Sequence, residues 1–523
     1  MVKLDKHKKY HRPVVLLILD GFGLASDGPH NAIAQAKMPN FKEYLENYPA
    51  LSLRASGVSV GLANDESGDS AVGHQAIGCG RAVFFPEVKI VSSLSDGSFF
   101  NNPTLLAASE AAIQNSGAWH LIGSINDQDD ATVNYYYALL EFAKLRKIKK
   151  VFFHLFVAGN SRQLLERLQK KIDAIGLGKI VTITGISYGL DVSGDWSKTE
   201  QLYKTLTTAK SEKKYQDVAT FINAAEESGF SWSNLPPTIV AETDFRRNAI
   251  KDGDSVIFFD QEILKVSQLL KGFVLPGFER FTRPEYLRNL FVVSLLPPEK
   301  DLPAAIAFPE EEISLSLSKI ISDSGLKQIK ISETSKYVYV TYFFNGCSRL
   351  AFPGEEQILI SANSASPENY PAMAADKIAD LTMEKLDHGN YDFLLVNLAN
   401  PDEVAHSGNF TATVSALEAV DKALGQIVTK TLAKDGVVII TSDHGNAEEV
   451  AEISDKTLRQ HTASPVPMLI VGKEFFGKVA ADVGDASNLA TVTPTGDLTD
   501  IAPTILKIFG LKRPEEMSGK PLI

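Results

Sequence analysis

The sequence predicts an α/β protein in two parts: a discontinuous metal-bearing domain and a second α/β domain inserted into it. Three observations carry that prediction. Strand-like apolar runs alternate with helix-like segments almost throughout, the pattern of parallel sheets covered by helices. Several of the runs end in carboxylates and imidazoles, the side chains that hold divalent ions. All of those residues fall within 1–85 and 311–523 of the 523-residue chain, which leaves residues 86–310 as the insert.

The first run, Val14-Val15-Leu16-Leu17-Ile18-Leu19, ends at Asp20. Pro39 to Tyr48 reads as a helix, with its Pro at the start, where a missing N–H does no harm. Ser70 follows in Gly68-Asp69-Ser70-Ala71-Val72-Gly73-His74. It reads either as the N-cap of a helix that begins at Ala71, or as a hydroxyl facing the orphan N–H groups and positive dipole end of that helix. In the middle of the chain, residues 119–125, 150–156, 180–185 and 255–259 read as strands, with helices between them. The Pro-stiffened stretch Leu296-Pro297-Pro298-Glu299-Lys300-Asp301-Leu302-Pro303 reads as the return linker. Beyond it, Phe393-Leu394-Leu395-Val396 precedes Asp402 and His406. Between residues 412 and 434, Val414, Leu417, Val420, Leu424, Ile427 and Val428 keep helical spacing. That helix leads to Val437-Val438-Ile439-Ile440, followed by Asp443 and His444, and so makes a βαβ unit. His461 precedes the last of these runs, Pro465-Val466-Pro467-Met468-Leu469-Ile470.

Asp20, Ser70, Asp402, His406, Asp443, His444 and His461 are thus candidate metal ligands. The carboxyl ends of parallel strands form the ligand crevice of an open α/β sheet, so residues this far apart in sequence meet there. Carboxylates mixed with imidazoles suit manganese or zinc better than calcium or magnesium. Each piece alone has a plainer reading. An Asp after a strand is often a helix cap, a lone His is often structural, and Asp443-His444-Gly445-Asn446 has the composition of a turn. The combination favours a two-ion site, in which a metal on the Ser70 oxygen lowers its pKa and makes it a nucleophile.

Composition narrows the function classes. Hydrophobic content of 44% and charged content of 22% are those of an ordinary globular chain, and a net charge of −12 argues against nucleic acid and acidic membranes as partners. Two cysteines, Cys79 and Cys347, cannot build a disulfide framework, which points to a reducing cytoplasm. No run approaches the ~20 apolar residues of a membrane span. The basic start, Met1 to Pro13, has no apolar core of a secretory signal and reads as a solvated lead-in.

The motifs together resemble the cofactor-independent phosphoglycerate mutase family of the alkaline phosphatase superfamily, over essentially the full length. The residues that carry the resemblance are Leu19-Asp20-Gly21-Phe22-Gly23, Ser70 to Gly78, Asn397 to Asp402 with Val404-Ala405-His406-Ser407-Gly408, Ser442 to Ala447, and His461-Thr462 before Pro465-Val466-Pro467. The resemblance implies an alkaline-phosphatase-like metal domain (1–85 and 311–523) carrying an inserted substrate-binding domain (86–310). It implies two divalent ions, manganese first and zinc as the alternative. Asp402, His406 and His461 match the ligands of one ion; Asp20, Ser70, Asp443 and His444 match those of the other. Ser70 matches the residue that is phosphorylated, and Lys336 a lysine that steadies the phosphoryl group. The implied enzyme is a monomer acting on a small phosphorylated substrate, interconverting 2- and 3-phosphoglycerate in glycolysis.

The insert departs from that family. Where the family has a His, this chain has Ala131 after Gln128-Asp129-Asp130; where it has Asp-Gly-Arg-Asp, this chain has Ala158-Gly159-Asn160-Ser161. Ile186, Val192 and Asp195 stand at three arginine positions, and Gln261-Glu262-Ile263-Leu264-Lys265 replaces Phe-Arg-Pro-Asp-Arg. Asn, Ile and Asp cannot supply the planar fork with which Arg grips carboxylate or phosphate. Arg162, Lys198 and Lys265 are the candidate replacements, or else ordinary solvated charges. The expected function is therefore metal-dependent phosphoryl transfer through a phosphoserine, with two alternatives. One is a phosphatase or phosphotransferase acting on another phosphomonoester; the other is a non-catalytic scaffold that keeps the fold.

Overall fold

The structure, a computed structural model, describes residues 13–523 apart from 65, 126–129, 160, 191–193, 230, 241–244, 362–365, 451–459 and 479–485; of residues 130–133, 245 and 486–488 it describes the backbone alone. The basic lead-in, up to residue 12, and the positions Gln128, Asp129, Asn160 and Val192 therefore lie outside the described residues. The chain divides into two compact units, Met1–Phe85 with Glu311–Ile523, and Pro86–Glu310.

Sixteen strands are present among the described residues. In chain order they are β1 (Val14–Leu19), β2 (Ala50–Arg54), β3 (Trp119–Ile125), β4 (Val151–Val157), β5 (Lys179–Gly185), β6 (Lys213–Tyr215), β7 (Thr238–Val240) and β8 (Ser255–Phe258). They continue with β9 (Phe291–Ser294), β10 (Ala305–Ile306), β11 (Gln328–Glu333), β12 (Glu355–Ile360), β13 (Phe393–Leu398), β14 (Val437–Thr441), β15 (Val466–Val471) and β16 (Gly496–Asp497). The predicted α/β class holds, with one sheet in each unit.

The first unit's sheet has the order β12-β11-β13-β1-β14-β15-β2-β16. Its central strands are parallel, and their ends are level: Leu19 pairs with Leu398, and Ile18 with Thr441. The residues that follow β1, β13 and β14 therefore emerge side by side at one edge. β1 and β14 are buried along their whole length, as expected of strands covered on both faces. β15 runs antiparallel to β14, with Thr441 opposite Met468. Its amino end thus lies at the same edge, and this is how His461, which precedes its strand, reaches residues that follow theirs. The helix expected over 412–434 spans Phe410–Ala433 and buries Leu417, Val420, Leu424, Ile427 and Val428. The strands it joins, β13 and β14, are not neighbours, because β1 lies between them.

The second unit's sheet has the order β10-β9-β8-β3-β4-β5-β7-β6 and is parallel except where β7 meets β5. The Pro-rich stretch 296–303 is not where the chain returns to the first unit. It joins β9 to β10, and Ala305 pairs with Val293 before the unit ends at Glu310. A two-residue edge strand carries no periodicity, so the sequence does not reveal it.

One buried charge in the first sheet has a measurable signature. Lys330, on β11, is 1% exposed; its ammonium bonds Asn345 and lies 3.3 Å from Glu355 Oε1. Burial lowers its pKa to about 8, against the pull of Glu355. The folded chain releases this proton near pH 8 and the unfolded chain near 10.5. Between those values the unfolded state binds more protons, so stability rises with pH. The Lys330→Met variant removes that gain. Urea denaturation should show unaltered chain and variant diverging by up to roughly 3 kcal/mol across the window, at ~1.36 kcal/mol per pH unit. A constant difference between them would show that the ammonium stays charged.

Candidate metal centre

The Ser70 helix runs from Ser70 to Cys79, and its N-cap is Asp69, whose side chain accepts from Val72 N at 3.0 Å. The capping alternative for Ser70 is thereby excluded, because the cap is the residue before it. Ser70 is the first helical residue, and its Oγ lies 2.7 Å from His444 Nε2 and 3.2 Å from Lys336 Nζ. Lys336 comes just after β11 and leads into a π-helical turn, Tyr339–Phe343. Its Nζ lies 2.7 Å from Asp20 Oδ1 and 2.6 Å from Asp402 Oδ2. Asp20 follows β1 directly, and Asp443 sits in the turn after β14. Asp402 and His406 lie on the short helix Asn400–Ala405 and its C-cap, beyond β13.

The seven candidate ligands converge. Ligand atoms of Asp20, Asp443 and His444 all lie within 4.8 Å of one another, and so do those of Asp402, His444 and His461. His406 joins the second set: its Nε2 is 3.1 Å from His461 Nε2 and 3.3 Å from Asp402 Oδ1. His444 lies between the sets, its ring stacked on that of His461 at 3.7 Å.

The electrostatics follow from burying three carboxylates together. Burial, and then the charge of Asp443, raises Asp20 to about 6. Burial would also raise Asp402 and Asp443, but Lys336 and His444 hold the first well below the usual carboxylate range, and His444 and His74 lower the second. Burial would lower Lys336 and His444, yet the surrounding carboxylates hold both above their ordinary values. His461 goes the other way, to about 4, through burial and the neighbouring His444.

These residues fit divalent cations. Asp20 Oδ1 and Asp443 Oδ2 are buried without an aligned hydrogen-bond donor, although Lys336 is close to the former and His74 to the latter. His461 Nδ1 donates to Gly68 O at 2.9 Å, so its Nε2 is bare and faces His406 Nε2. Two ring nitrogens at that distance need either a proton between them or a shared cation. Carboxylate, imidazole and hydroxyl donors gathered in one place, buried but for His406 and His461, suit a transition metal.

Several bracing residues are not marked in the sequence. Asn397 donates to Asp20 Oδ2 at 2.7 Å and to His74 Nε2 at 3.1 Å, and His74 Nδ1 donates to Ser70 O at 2.8 Å. Asn446 donates to Asp402 Oδ1 at 2.7 Å. Asn397 and Asn446 stand inside the motifs that carry the family resemblance, but nothing in their spacing singles them out as braces.

The three candidate substrate cations lie in the second unit, each beyond the carboxyl end of a strand. Arg162 opens the helix Arg162–Ile175 after β4, bonding Glu166 Oε1 at 2.9 Å and pairing with Glu226. Lys265, after β8, pairs with Glu262. Lys198, in the helix after β5, lies 5.8 Å from the centre of the Tyr188 ring. Asp195 caps that helix, accepting from Ser197 N at 3.1 Å, so its acidity has a structural use. Of Ala131 only the backbone is described, within the helix Asp130–Leu145.

A model of the metalloenzyme superfamily matches residues 12–513. The chain is 36% identical to the 2,3-bisphosphoglycerate-independent phosphoglycerate mutase of Moorella thermoacetica, over 98% of both chains. It is 35% identical to that of Clostridium acetobutylicum, over 98% of this chain and 99% of the other. Among solved structures it is similar in fold to Leishmania mexicana phosphoglycerate mutase determined at low cobalt concentration, with a TM-score of 0.54 and 24% identity over 98% of both chains. With the superfamily model spanning nearly the whole chain and these relatives matched end to end, the chain is an enzyme of the metalloenzyme superfamily and belongs, within it, to the 2,3-bisphosphoglycerate-independent phosphoglycerate mutase family.

Proposed function

We propose that this enzyme transfers a phosphoryl group through Ser70. Its two divalent ions are manganese first and zinc as the alternative: one on Asp402, His406 and His461, the other on Asp20, Ser70, Asp443 and His444. The observation that carries this reading is the place of Ser70 Oγ, at a helix N-terminus among three buried carboxylates and within 3.2 Å of Lys336 Nζ. When bound, the ions supply charge neutralisation and lower the pKa of the serine hydroxyl.

The chain's own groups do the rest. Asp69 takes Val72 N with its side chain and Gly73 N with its carbonyl, leaving the amides of Ser70 and Ala71 as the first-turn donors to a phosphoryl oxygen. Lys336, held protonated, donates toward the oxygen on Ser70 and steadies the transferred group. The Ser70 O–P bond forms as the substrate's ester P–O bond breaks, and the Ser70 hydroxyl proton ends on the departing oxygen. A second acceptor hydroxyl then attacks phosphorus, the Ser70 O–P bond breaks, and the acceptor's proton returns to Ser70 Oγ. The unit 86–310 is the substrate-binding domain. The protein acts as a monomer, and it acts in the cytoplasm, the compartment that its two free cysteines support. No helix among the described residues is long and apolar enough to cross a membrane.

The acceptor decides between two reactions. The relatives are named as phosphoglycerate mutases, and the family resemblance brings with it the interconversion of 2- and 3-phosphoglycerate, in which the glycerate's other hydroxyl takes the phosphoryl group. The ion pairs of Arg162 and Lys265 support a second reading, in which water or another alcohol takes it: these cations are engaged by Glu166, Glu226 and Glu262, in half-exposed pairs worth about 0–1 kcal/mol each. Losing one buried charge-assisted contact costs about 2–5 kcal/mol, and two such losses lower efficiency by several orders of magnitude.

The manganese-loaded chain, assayed on 3-phosphoglycerate and on a generic phosphomonoester, tests both readings. Phosphoglycerate kcat/KM is expected below the usual ~10⁴–10⁸ M⁻¹s⁻¹, with phosphatase activity remaining. A value inside that range would restore the mutase reaction as the main one. The Ser70→Ala variant should lose both activities by several orders of magnitude while keeping its fold by circular dichroism. Retention of most activity would rule out the phosphoserine. Elemental analysis should find two transition-metal ions per chain, and fewer than two after loading would overturn the two-ion assignment.

A further inference from the structure

Glu448 is 2% exposed, and both of its carboxylate oxygens point at loops that carry candidate metal ligands. Oε2 accepts from Gly23 N at 3.1 Å, in the turn after Asp20, and from Asn446 N at 2.8 Å, just past His444. Oε1 accepts from the hydroxyl of Thr462, the residue after His461. One side chain therefore ties its own loop, just past His444, to the loop of His461 and to the distant turn after Asp20.

The backbone around it is shaped to admit this carboxylate. A Cβ on Gly23 would lie 2.2 Å from the Glu448 carboxyl group, and one on Gly445 would lie 2.4 Å from Oε1. A side chain at either place would push the carboxylate out of its hydrogen bonds, so glycine at both lets the loops close on Glu448 where it stands. The tie extends further through its partners. Thr462 N donates to Gly445 O at 2.9 Å, and Thr462 O accepts from Gly68 N at 2.9 Å, in the segment that leads to Ser70. Asn446, whose amide Glu448 holds, passes its side chain to Asp402 Oδ1.

We propose that Glu448 is the positioning residue of the metal centre: it touches no ion, but holds the loops of Asp20, Asp443–His444 and His461 at the separation at which they bind divalent cations together. The proposal rests on the metal-centre reading above. Partners that fix the ligands of a metal site alter metal affinity by about 10–100-fold when removed. A carboxylate suits this position because it accepts from three donors at once. An amide there turns N–H toward at least one donor, and an alanine leaves three donors unpaired.

The test is calorimetric titration of MnCl₂ into the metal-free full-length chain and its Glu448→Gln, Glu448→Ala, Thr462→Val and Leu424→Ala variants. Leu424 is a buried residue of the helix Phe410–Ala433 and serves as the control for general loss of stability. Mn²⁺ affinity is expected to fall about 10–100-fold in Glu448→Ala, less in Glu448→Gln and Thr462→Val, and not at all in Leu424→Ala, whose melting temperature drops instead. The double variant Glu448→Ala/Thr462→Val should bind little more weakly than Glu448→Ala alone, because the Thr462–Glu448 hydrogen bond is already absent and only the contact from Ser464 N to the Thr462 hydroxyl is newly lost. If Glu448→Ala does not fold, Glu448→Gln and Thr462→Val carry the test. Unchanged affinity in folded Glu448 variants, with the unaltered chain binding Mn²⁺, would overturn this inference alone. Failure of the unaltered chain to bind Mn²⁺ would overturn the metal-centre reading and this inference with it.

Discussion

Three carboxylates buried side by side are the constraint on which the first unit depends. Asp20, Asp402 and Asp443 are each at most 1% exposed. Two like charges ~4 Å apart repel by about 4 kcal/mol even at an effective dielectric constant of ~20. The fold tolerates this only because every surrounding group answers it. The Lys336 ammonium sits against two of the carboxylates, Asn397 and Asn446 donate to Asp20 and Asp402, and His74 leans on Asp443. Even so, burial first and then the charge of Asp443 push Asp20 up to about 6, against the pull of Lys336. A site with two carboxylate oxygens lacking an aligned donor is one that a divalent cation completes.

The sheet explains how so costly a cluster is assembled without strain. Parallel strands with level ends deliver Asp20, the Asp402 helix and Asp443 to one edge, and the single antiparallel neighbour β15 delivers His461 to that edge from the opposite direction. The chain leaves this unit at Phe85 and returns at Glu311, and Arg81 pairs with Glu311 where it does so. An excursion whose two ends are pinned together leaves the strands on either side undisturbed, which is why a whole domain is accommodated between the Ser70 helix and β11.

What the sequence disclosed follows from this architecture. Fully buried parallel strands are uninterrupted apolar runs, so β1, β13 and β14 were legible, and so were the ligand types placed just after them. The helix Phe410–Ala433 was legible because its apolar face repeats at 3.6 residues. Lys336 was reached only through the family resemblance, since a lysine shortly after a strand looks like any solvated charge. Glu448 was invisible. Its three partners are set by loop closure, and no periodicity records which backbone amides a carboxylate will meet. The strand β10 escaped because it has only two residues, and the order of β13, β1 and β14 because crossovers leave no mark on the sequence.

The two units answer different chemical demands, and under the proposed function this separates what the enzyme can do from what it acts on. Activating Ser70 and receiving a phosphoryl group need only the first unit's ligands and Lys336, because every phosphomonoester offers the same phosphorus and oxygens. Holding a particular acceptor needs charges that are unspent in the resting protein. In the second unit Arg162 and Lys265 are engaged by glutamates of their own domain, and Asp195 caps a helix. A trianionic ligand would have to displace those glutamates to reach the cations. It would then leave carboxylates unpaired beside its own negative charge, so the attraction to each cation is offset by repulsion from the glutamate set free. A neutral alcohol or water faces no such exchange. Under the proposed function this exchange tilts the second unit toward an uncharged acceptor, by a small margin for each of these half-exposed pairs.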